Sequence, residues 1–150
     1  MNRRILLICS GGGHLVQMER LAPGLSEHGI VMLATTGRSQ LHKGFYTETI
    51  SLPDFNRQSL PATLRGIPVV LKAVLKTRPT HVISTGAAPG LIGIAFARLL
   101  GAKTLWIDSI ANTRRLSVSG RMALYLANEV WTQWPALAQT SNPKYRGRVI

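Results

Sequence analysis

Acids are scarce in this chain: 6 Asp and Glu stand against 18 Lys and Arg, a formal charge of +12 over 150 residues. None falls between Asp54 and Asp108, whereas Arg57, Arg65, Lys72, Lys76, Arg78, Arg98 and Lys103 all do. A field of that sign draws in nucleic acid, anionic lipid or a phosphorylated substrate. Cysteine is rarer still. Cys9 stands alone, which excludes a disulfide framework and a cysteine-built metal site, and no metal is expected. No apolar run approaches the roughly 18 uncharged residues of a membrane span. Only Met1, Asn2, Arg3 and Arg4 precede the first apolar run, so no signal peptide is expected either.

Aromatics make up only 6% of the chain, and they are not interleaved with its lysines. A nucleic-acid binder would show such interleaving or a known binding motif, so no nucleic-acid partner is expected. A dinucleotide site is incomplete as well. Gly11 and Gly13 begin the Gly-x-Gly-x-x-Gly pattern, but Val16 stands where its third glycine belongs. The second apolar run ends in Thr35-Thr36 with no acid for a ribose, and no Gly-x-x-x-x-Gly-Lys loop occurs. A cofactor-dependent oxidoreductase is therefore not expected, and neither is a cofactor.

What the chain does contain is organised around its opening. Ile5 to Cys9 is an unbroken apolar run, the mark of a strand buried on both faces, and it empties into Ser10-Gly11-Gly12-Gly13-His14. Helical spacing follows at Leu15, Met18, Leu21, Ala22 and Leu25, with Gln17, Glu19, Arg20 and Glu27 assigned to the outer side. Pro23-Gly24 is expected to kink or shorten that helix. A glycine turn into a helix start lets the backbone approach a bound anion, with free N–H groups and the helix dipole aimed at it. The plain alternative is a tight turn that binds nothing. Three consecutive glycines exceed what a turn needs and favour the site.

Ile30 to Ala34 is a second strand, with a polar loop over Thr35 to Ser39, and Glu48 to Leu52 a short third. Pro53 to Pro61 reads as loop. From Ala62 to Thr77 the helical pattern returns, Leu64, Ile67, Leu71 and Val74 forming an apolar stripe and Arg65, Lys72 and Lys76 a basic one. Core packing is the expected use of the first stripe, a membrane surface that of the second. Pro68 threatens to split the segment.

Thr80 to Ser84 then repeats the opening pattern as a strand. Thr85-Gly86-Ala87-Ala88-Pro89-Gly90 reads as a small-residue loop and Leu91 to Leu100 as a helix. Lys103 to Ile107 is the next strand, ending at Asp108. Ser117 to Ala127 is a helix, Glu129 to Thr132 a final strand, and the tail is basic. Strands alternating with helices specify an α/β fold, a single doubly wound, Rossmann-like parallel sheet, with ligands beyond the carboxyl ends of the strands. The Gly11 turn, the Gly86 turn and Asp108 converge on that edge.

Five segments in order carry a family resemblance: Ser10-Gly11-Gly12-Gly13-His14; Thr85 to Pro89; Trp106-Ile107-Asp108-Ser109-Ile110-Ala111; Ser117 to Gly120; and Gln133-Trp134-Pro135. Together they resemble the amino-terminal half of MurG-like glycosyltransferases of the GT-B fold. More closely, they are similar to the separate acceptor-side subunit of split enzymes, such as the dolichol-pyrophosphate N-acetylglucosamine transferase and the PssD-type pair of exopolysaccharide synthesis. The resemblance spans nearly the whole chain. The family's eukaryotic members carry an amino-terminal membrane helix that this sequence does not show, and Asp108-Ser109 stands where members often have Glu.

The resemblance implies one Rossmann-like domain, residues 1–150, of a two-chain inverting UDP-sugar hexosyltransferase in polysaccharide biosynthesis. A separate donor-binding subunit would bring the UDP-sugar. This chain would hold a saccharide acceptor on a lipid pyrophosphate, from the cytoplasmic side, at the inner face of an anionic membrane. Ser10, Gly11, Gly12, Gly13, Thr85, Gly86 and Ala87 would receive the phosphates. Arg65, Lys72, Lys76, Arg114 and Arg115 would face the headgroups, and Trp134 the partner. His14 is the first candidate base, because imidazole exchanges protons near neutral pH. Asp108 is the second candidate, or the partner that orients His14. The plain alternatives are a backbone-bonding loop residue for His14 and a helix cap or an Arg114 salt bridge for Asp108. His28, His42 and His81 are assigned no chemistry, and Trp106 and Trp131 are assigned to core and interface. The rival function is a non-enzymatic membrane-docking scaffold that recruits a transferase.

Overall fold

A computed structural model of the chain describes residues 2–37, 43–55 and 58–149. Arg38, Ser39, His42 and Arg57 lie outside these. Seven strands form one parallel sheet: β1 (Arg3–Cys9), β2 (Gly29–Thr35), β3 (Glu48–Ser51), β4 (His81–Gly86), β5 (Lys103–Ile107), β6 (Glu129–Thr132) and β7 (Lys144–Tyr145). Their order is β3-β2-β1-β4-β5-β6-β7. The first six follow the doubly wound dinucleotide-fold order, with the direction of winding reversing between β1 and β4. That reversal opens a crevice beyond the carboxyl ends of β1 and β4, where the chain leaves them in opposite directions.

Four helices complete the fold: α1 (Gly13–Ser26), α2 (Leu60–Thr77), α3 (Ala87–Leu99) and α4 (Val118–Leu126). The central strands alternate faces, so each feeds two cores. Leu6, Ile8, Val82 and Trp106 pack against Val70 and Val74 of α2, Ile94 of α3 and Ala123 of α4. Ile5, Leu7, Ile83 and Ile107 pack on the other face, against Leu15, Met18 and Ala22 of α1. Three helices thus cover one face and one covers the other. Past α1, the sheet face presents an apolar hollow at its amino-terminal end, lined by Ile5, Leu25, Ile83 and Leu105.

Several expectations fail for physical reasons. Pro68 does not split its helix, and Pro23 does not stop α1 at once. Pro68 is exposed on α2, where a carbonyl orphaned by its ring meets water, and α1 runs past Pro23 to Ser26. The buried face of α2 is Gly66, Val70, Ala73, Val74 and Thr77, which shares only Val74 with the expected apolar stripe. Gly66 lies there because a Cβ would stand 2.4 Å from the Phe55 ring. Leu60, Leu64 and Leu75 consequently point outward, 70%, 55% and 52% exposed, beside Arg65, Lys72 and Lys76.

The helix starts earlier than its apolar residues suggest, because Ser59 caps it by accepting from the Ala62 amide and Pro61 fits the first turn. Gln17 and Glu19, assigned to the outside of α1, are buried. The expected loop from Thr85 to Gly90 does not exist: β4 runs directly into α3. The tail adds the two-residue strand β7, so β6 is not the last.

Candidate active site at the carboxyl edge of β1 and β4

The site begins with two ways of leaving a strand. After β1 the chain takes three residues to enter α1, and Gly12 caps the helix at φ +70°, ψ −140°, a conformation that side chains other than glycine's rarely adopt. The Gly11 amide is held by Thr36 Oγ1 at 3.0 Å, which ties the turn to the end of β2. After β4 there is no turn. Gly86 caps α3 at φ +143° and Ala87 follows at φ +70°. Neither helix start has a side-chain cap, which leaves the first-turn amides of α1, and of Ala87 and Ala88 in α3, without a side-chain acceptor, Pro89 having no N–H to offer. α2 and α4 differ, each closed by the hydroxyl of Ser59 or Ser117.

His14 lies between the two open ends. Its Nδ1 sits 2.9 Å from the Thr85 carbonyl oxygen, and Thr85 Oγ1 donates back to the His14 carbonyl at 2.7 Å. A carbonyl only accepts, so Nδ1 carries the hydrogen and Nε2 is left as the basic nitrogen of the neutral ring. The ring rests on Gly86, where an added Cβ would stand 2.3 Å from its Cε1. Glycine at 86 is thus the condition for that ring position.

Asp108 is put to a different use. It is 2% exposed, and both oxygens are occupied. Oδ1 accepts from Trp106 Nε1 and Ser117 Oγ, and Oδ2 from Asn112 Nδ2 and the Ser117 amide. Gly120 packs against it, with space for no Cβ. The carboxylate folds the β5–α4 loop onto the start of α4. It makes no bond to His14, whose orienting partner is Thr85, and none to Arg114.

Behind the loop lies a network built on Gln17, which helical spacing placed on the outer side of α1. Gln133, 1% exposed, donates from Nε2 to Gln17 Oε1 and to the Asp108 carbonyl. Gln17 in turn meets Ser109 Oγ and the Ile110 amide. Trp134 Nε1 donates to the Ile110 carbonyl at 2.7 Å, and Arg148 stacks on the indole 4.3 Å from its centroid. The only signal in the sequence was the Gln133-Trp134-Pro135 segment. Glutamine on a helix face reads as solvent-facing until its partner, 116 residues away, is known.

The remaining candidates scatter. Ser10, Gly11, His14, Thr36, Asp54, Phe55, Gln58 and Ala87 to Pro89 line a hollow of about 570 Å³. Arg115 lines a neighbouring hollow that also reaches His14. Arg114 is exposed and lines neither, and Lys76 pairs with Glu48. Asp54, Thr36 and Asn112 were not singled out from sequence, since each sits in a polar loop without a distinguishing pattern. Cys9 is walled into the core, and burial pushes its thiol up to about 12, which leaves it protonated and inert. Among the described residues no cluster of His, Cys, Asp and Glu suits a metal ion.

A family model described as "Oligosaccharide biosynthesis protein Alg14 like" matches residues 56–149. The chain belongs to the Alg14 family. The human UDP-N-acetylglucosamine transferase subunit ALG14 is 24% identical over 97% of this chain and 82% of its own length. The subunit of the same name from Eremothecium gossypii is 31% identical over 55% of this chain and 41% of its own. Among solved structures, Acinetobacter baumannii MurG superposes with a TM-score of 0.75 at 16% identity, covering 98% of this chain and 46% of MurG. A UDP-N-acetylglucosamine 2-epimerase from Rickettsia bellii gives 0.69 at 10% identity, over 91% and 40%. These likenesses establish the fold, a GT-B half: this Alg14-family chain spans less than half the length of either structure. No helix among its described residues is long and apolar enough to cross a membrane.

Proposed function

We propose that this Alg14-family chain is the acceptor-binding subunit of a two-chain UDP-sugar transferase. It would act on a saccharide linked to a lipid pyrophosphate, with the donor sugar held by a separate subunit. The carrying observation is the crevice itself: two uncapped helix starts, from β1–α1 and β4–α3, with the basic nitrogen of His14 between them. Open first-turn amides bind anionic oxygen, and a positioned imidazole takes a proton from a hydroxyl. The relatives' name supports the transfer of N-acetylglucosamine, and coverage of one GT-B half supports a second chain for the donor.

The reaction then follows from the parts. The acceptor hydroxyl attacks the anomeric carbon of the sugar, whose bond to the UDP phosphate oxygen breaks. His14 Nε2 removes the hydroxyl proton as the new bond forms, and UDP leaves with the broken bond's electron pair. Thr85 holds the tautomer that permits this. Asp108 contributes by fixing the loop that walls the crevice. The chain would work as a peripheral protein on the cytoplasmic face of a membrane, its exposed Leu60, Leu64 and Leu75 entering the interface and Arg65 and Lys72 reaching anionic headgroups.

The test is transfer from labelled UDP-N-acetylglucosamine to a lipid-pyrophosphate saccharide by the chain mixed with a donor-binding partner. His14→Ala should keep acceptor binding and lose on the order of a hundred- to ten-thousandfold in turnover. Near-normal turnover would move the base to the partner. The isolated chain should bind UDP-N-acetylglucosamine no better than background, and tight stoichiometric binding in calorimetry would end the two-chain reading. Flotation with anionic vesicles should exceed that with neutral ones and weaken with salt.

A further inference from the structure

His14 and Ala87 form a wall shared by two hollows. The hollow of about 570 Å³ carries Asp54, and among its described lining residues there is no lysine or arginine. Its neighbour, about 380 Å³, carries Arg115 and Arg121 with Ser109, Asn112 and Ser119, and no acid. Among the described residues neither guanidinium has an ion pair, the two carboxylate pairs being Lys76–Glu48 and Lys144–Glu129. Asp108, the acid closest in sequence, is buried and spent on Trp106, Asn112 and Ser117. Both arginines are exposed on the rim of this hollow, where water screens their repulsion, and no carboxylate among the described residues offsets their charge. A bound anion would compensate both.

We propose that the Arg115–Arg121 hollow seats the diphosphate of the acceptor, and that the Asp54 hollow takes its uncharged, hydroxyl-bearing part. The proposal rests on the acceptor-subunit reading and divides that site in two. Glycine turns and helix starts offer only partial charges, whereas a diphosphate carries full ones. Arginine forks match phosphate oxygens two at a time, which makes the pair the charge-bearing clamp. Asp54 would repel a phosphate but accepts hydrogen bonds from hydroxyls. His14, on the wall between, then has the reacting hydroxyl on one side and the charged group on the other. Arg115 accordingly belongs to the acceptor and not to the membrane surface.

The experiment is calorimetry on the full chain with inorganic pyrophosphate and with farnesyl pyrophosphate, circular dichroism confirming the fold of each variant. Arg115→Gln and Arg121→Gln should each weaken both ligands about tenfold. Arg20→Gln, exposed on α1 and lining neither hollow, should change them less than about twofold. Flotation on phosphatidylglycerol vesicles separates the two sources of phosphate. The Arg115 and Arg121 variants should float like the parent, and a loss matching the loss of pyrophosphate binding would assign the arginines to headgroups and overturn the seat.

Equal weakening by all three variants would also overturn it, showing a diffuse basic surface. In the transfer assay the arginine variants should raise the KM for the acceptor. A transferring pair whose arginine variants keep the parental KM sinks the seat and leaves the subunit reading standing. A pair that transfers nothing, on a chain whose pyrophosphate binding still depends on both arginines, does the reverse.

Discussion

The two strand–helix junctions that flank His14 look like copies in sequence and are opposites in structure. At β1–α1, a Cβ on Gly12 or Gly13 would meet nothing within 4 Å, so these glycines keep space open. At β4–α3, every glycine is packed. A Cβ at Gly86 would strike the His14 ring, at Gly90 it would stand 1.9 Å from Ser84 Oγ, and at Gly93 2.2 Å from Ile8 Cδ1. Gly11 is packed too, a Cβ there standing 2.9 Å from Gly37 Cα, so the first junction adds two open glycines to one close one, while the second uses glycine for closeness alone, bringing α3 down onto the sheet so that Thr85 can hold His14. A glycine motif therefore says that a side chain is absent, and only its surroundings say whether a ligand or a neighbour fills the gap.

Substitutions can break this contrast, the largest effect first. Gly86→Ala combines an unfavourable φ with a collision against a held ring, terms of about 1–3 kcal/mol each. Chemical denaturation should show a loss near 3 kcal/mol, and pyrophosphate binding should fall with it. A loss under about 1 kcal/mol would mean that the ring moves aside freely. Gly12→Ala meets the backbone term without a collision, so about 1–2 kcal/mol is expected in the same measurement. A loss as large as that of Gly86→Ala would contradict the open surroundings.

Gly13→Ala should go the other way in stability. The position is helical and uncrowded, and replacing glycine by alanine at a compatible site stabilises by about 0.4–1 kcal/mol. Gly13 lines neither hollow, so pyrophosphate binding should stay at the parental level. A loss of that binding in a folded Gly13→Ala protein would put the anion at the start of α1 and not on the two arginines.

The smallest effect belongs to the far end of the sheet, where pH tests the same logic on charges. The bond from Lys144 holds the Glu129 carboxyl below its usual range, and burial, then Arg3 and Lys103, holds His81 below the ordinary imidazole value. Both groups bind fewer protons folded than unfolded. Stability is therefore full above their ordinary values and falls as pH drops, first through the imidazole range below about 6.5 and then through the carboxylate range below about 4.3. Both are partly exposed, so each contribution stays under about 1 kcal/mol. Denaturation midpoints between pH 7 and 4 that do not fall for the parent, or fall equally for His81→Gln with Glu129→Gln, would remove these groups as the cause.

Strands were legible because a parallel sheet buries both faces. Ile5 to Cys9 is apolar at every position and Lys103 to Ile107 closes on Leu105-Trp106-Ile107, and a buried parallel strand is the simplest use of such runs in a short chain. Helix existence was legible too, but not which face is buried. On α2 the size of the side chains misled, since the approach of Phe55 requires Gly66 inward and turns Leu60 and Leu64 out. His14 was conspicuous as the residue after three glycines. Its state was not, because the Thr85 carbonyl that sets its tautomer arrives from 71 residues away.

Composition and local pattern by themselves determined the α/β class, the parallel sheet, the edge at which the glycines and His14 gather, and the basic field around it. These follow from periodicity, from the lack of a Cβ and from counted charge, none of which needs a third dimension. Only the tertiary structure decided what each polar group is for. It closed Asp108 inside four hydrogen bonds, drew Gln17 and Gln133 into one network and left Arg115 and Arg121 without a counter-charge beside His14. A side chain's chemistry depends on what its neighbours have already satisfied, and those neighbours come from distant stretches of the chain.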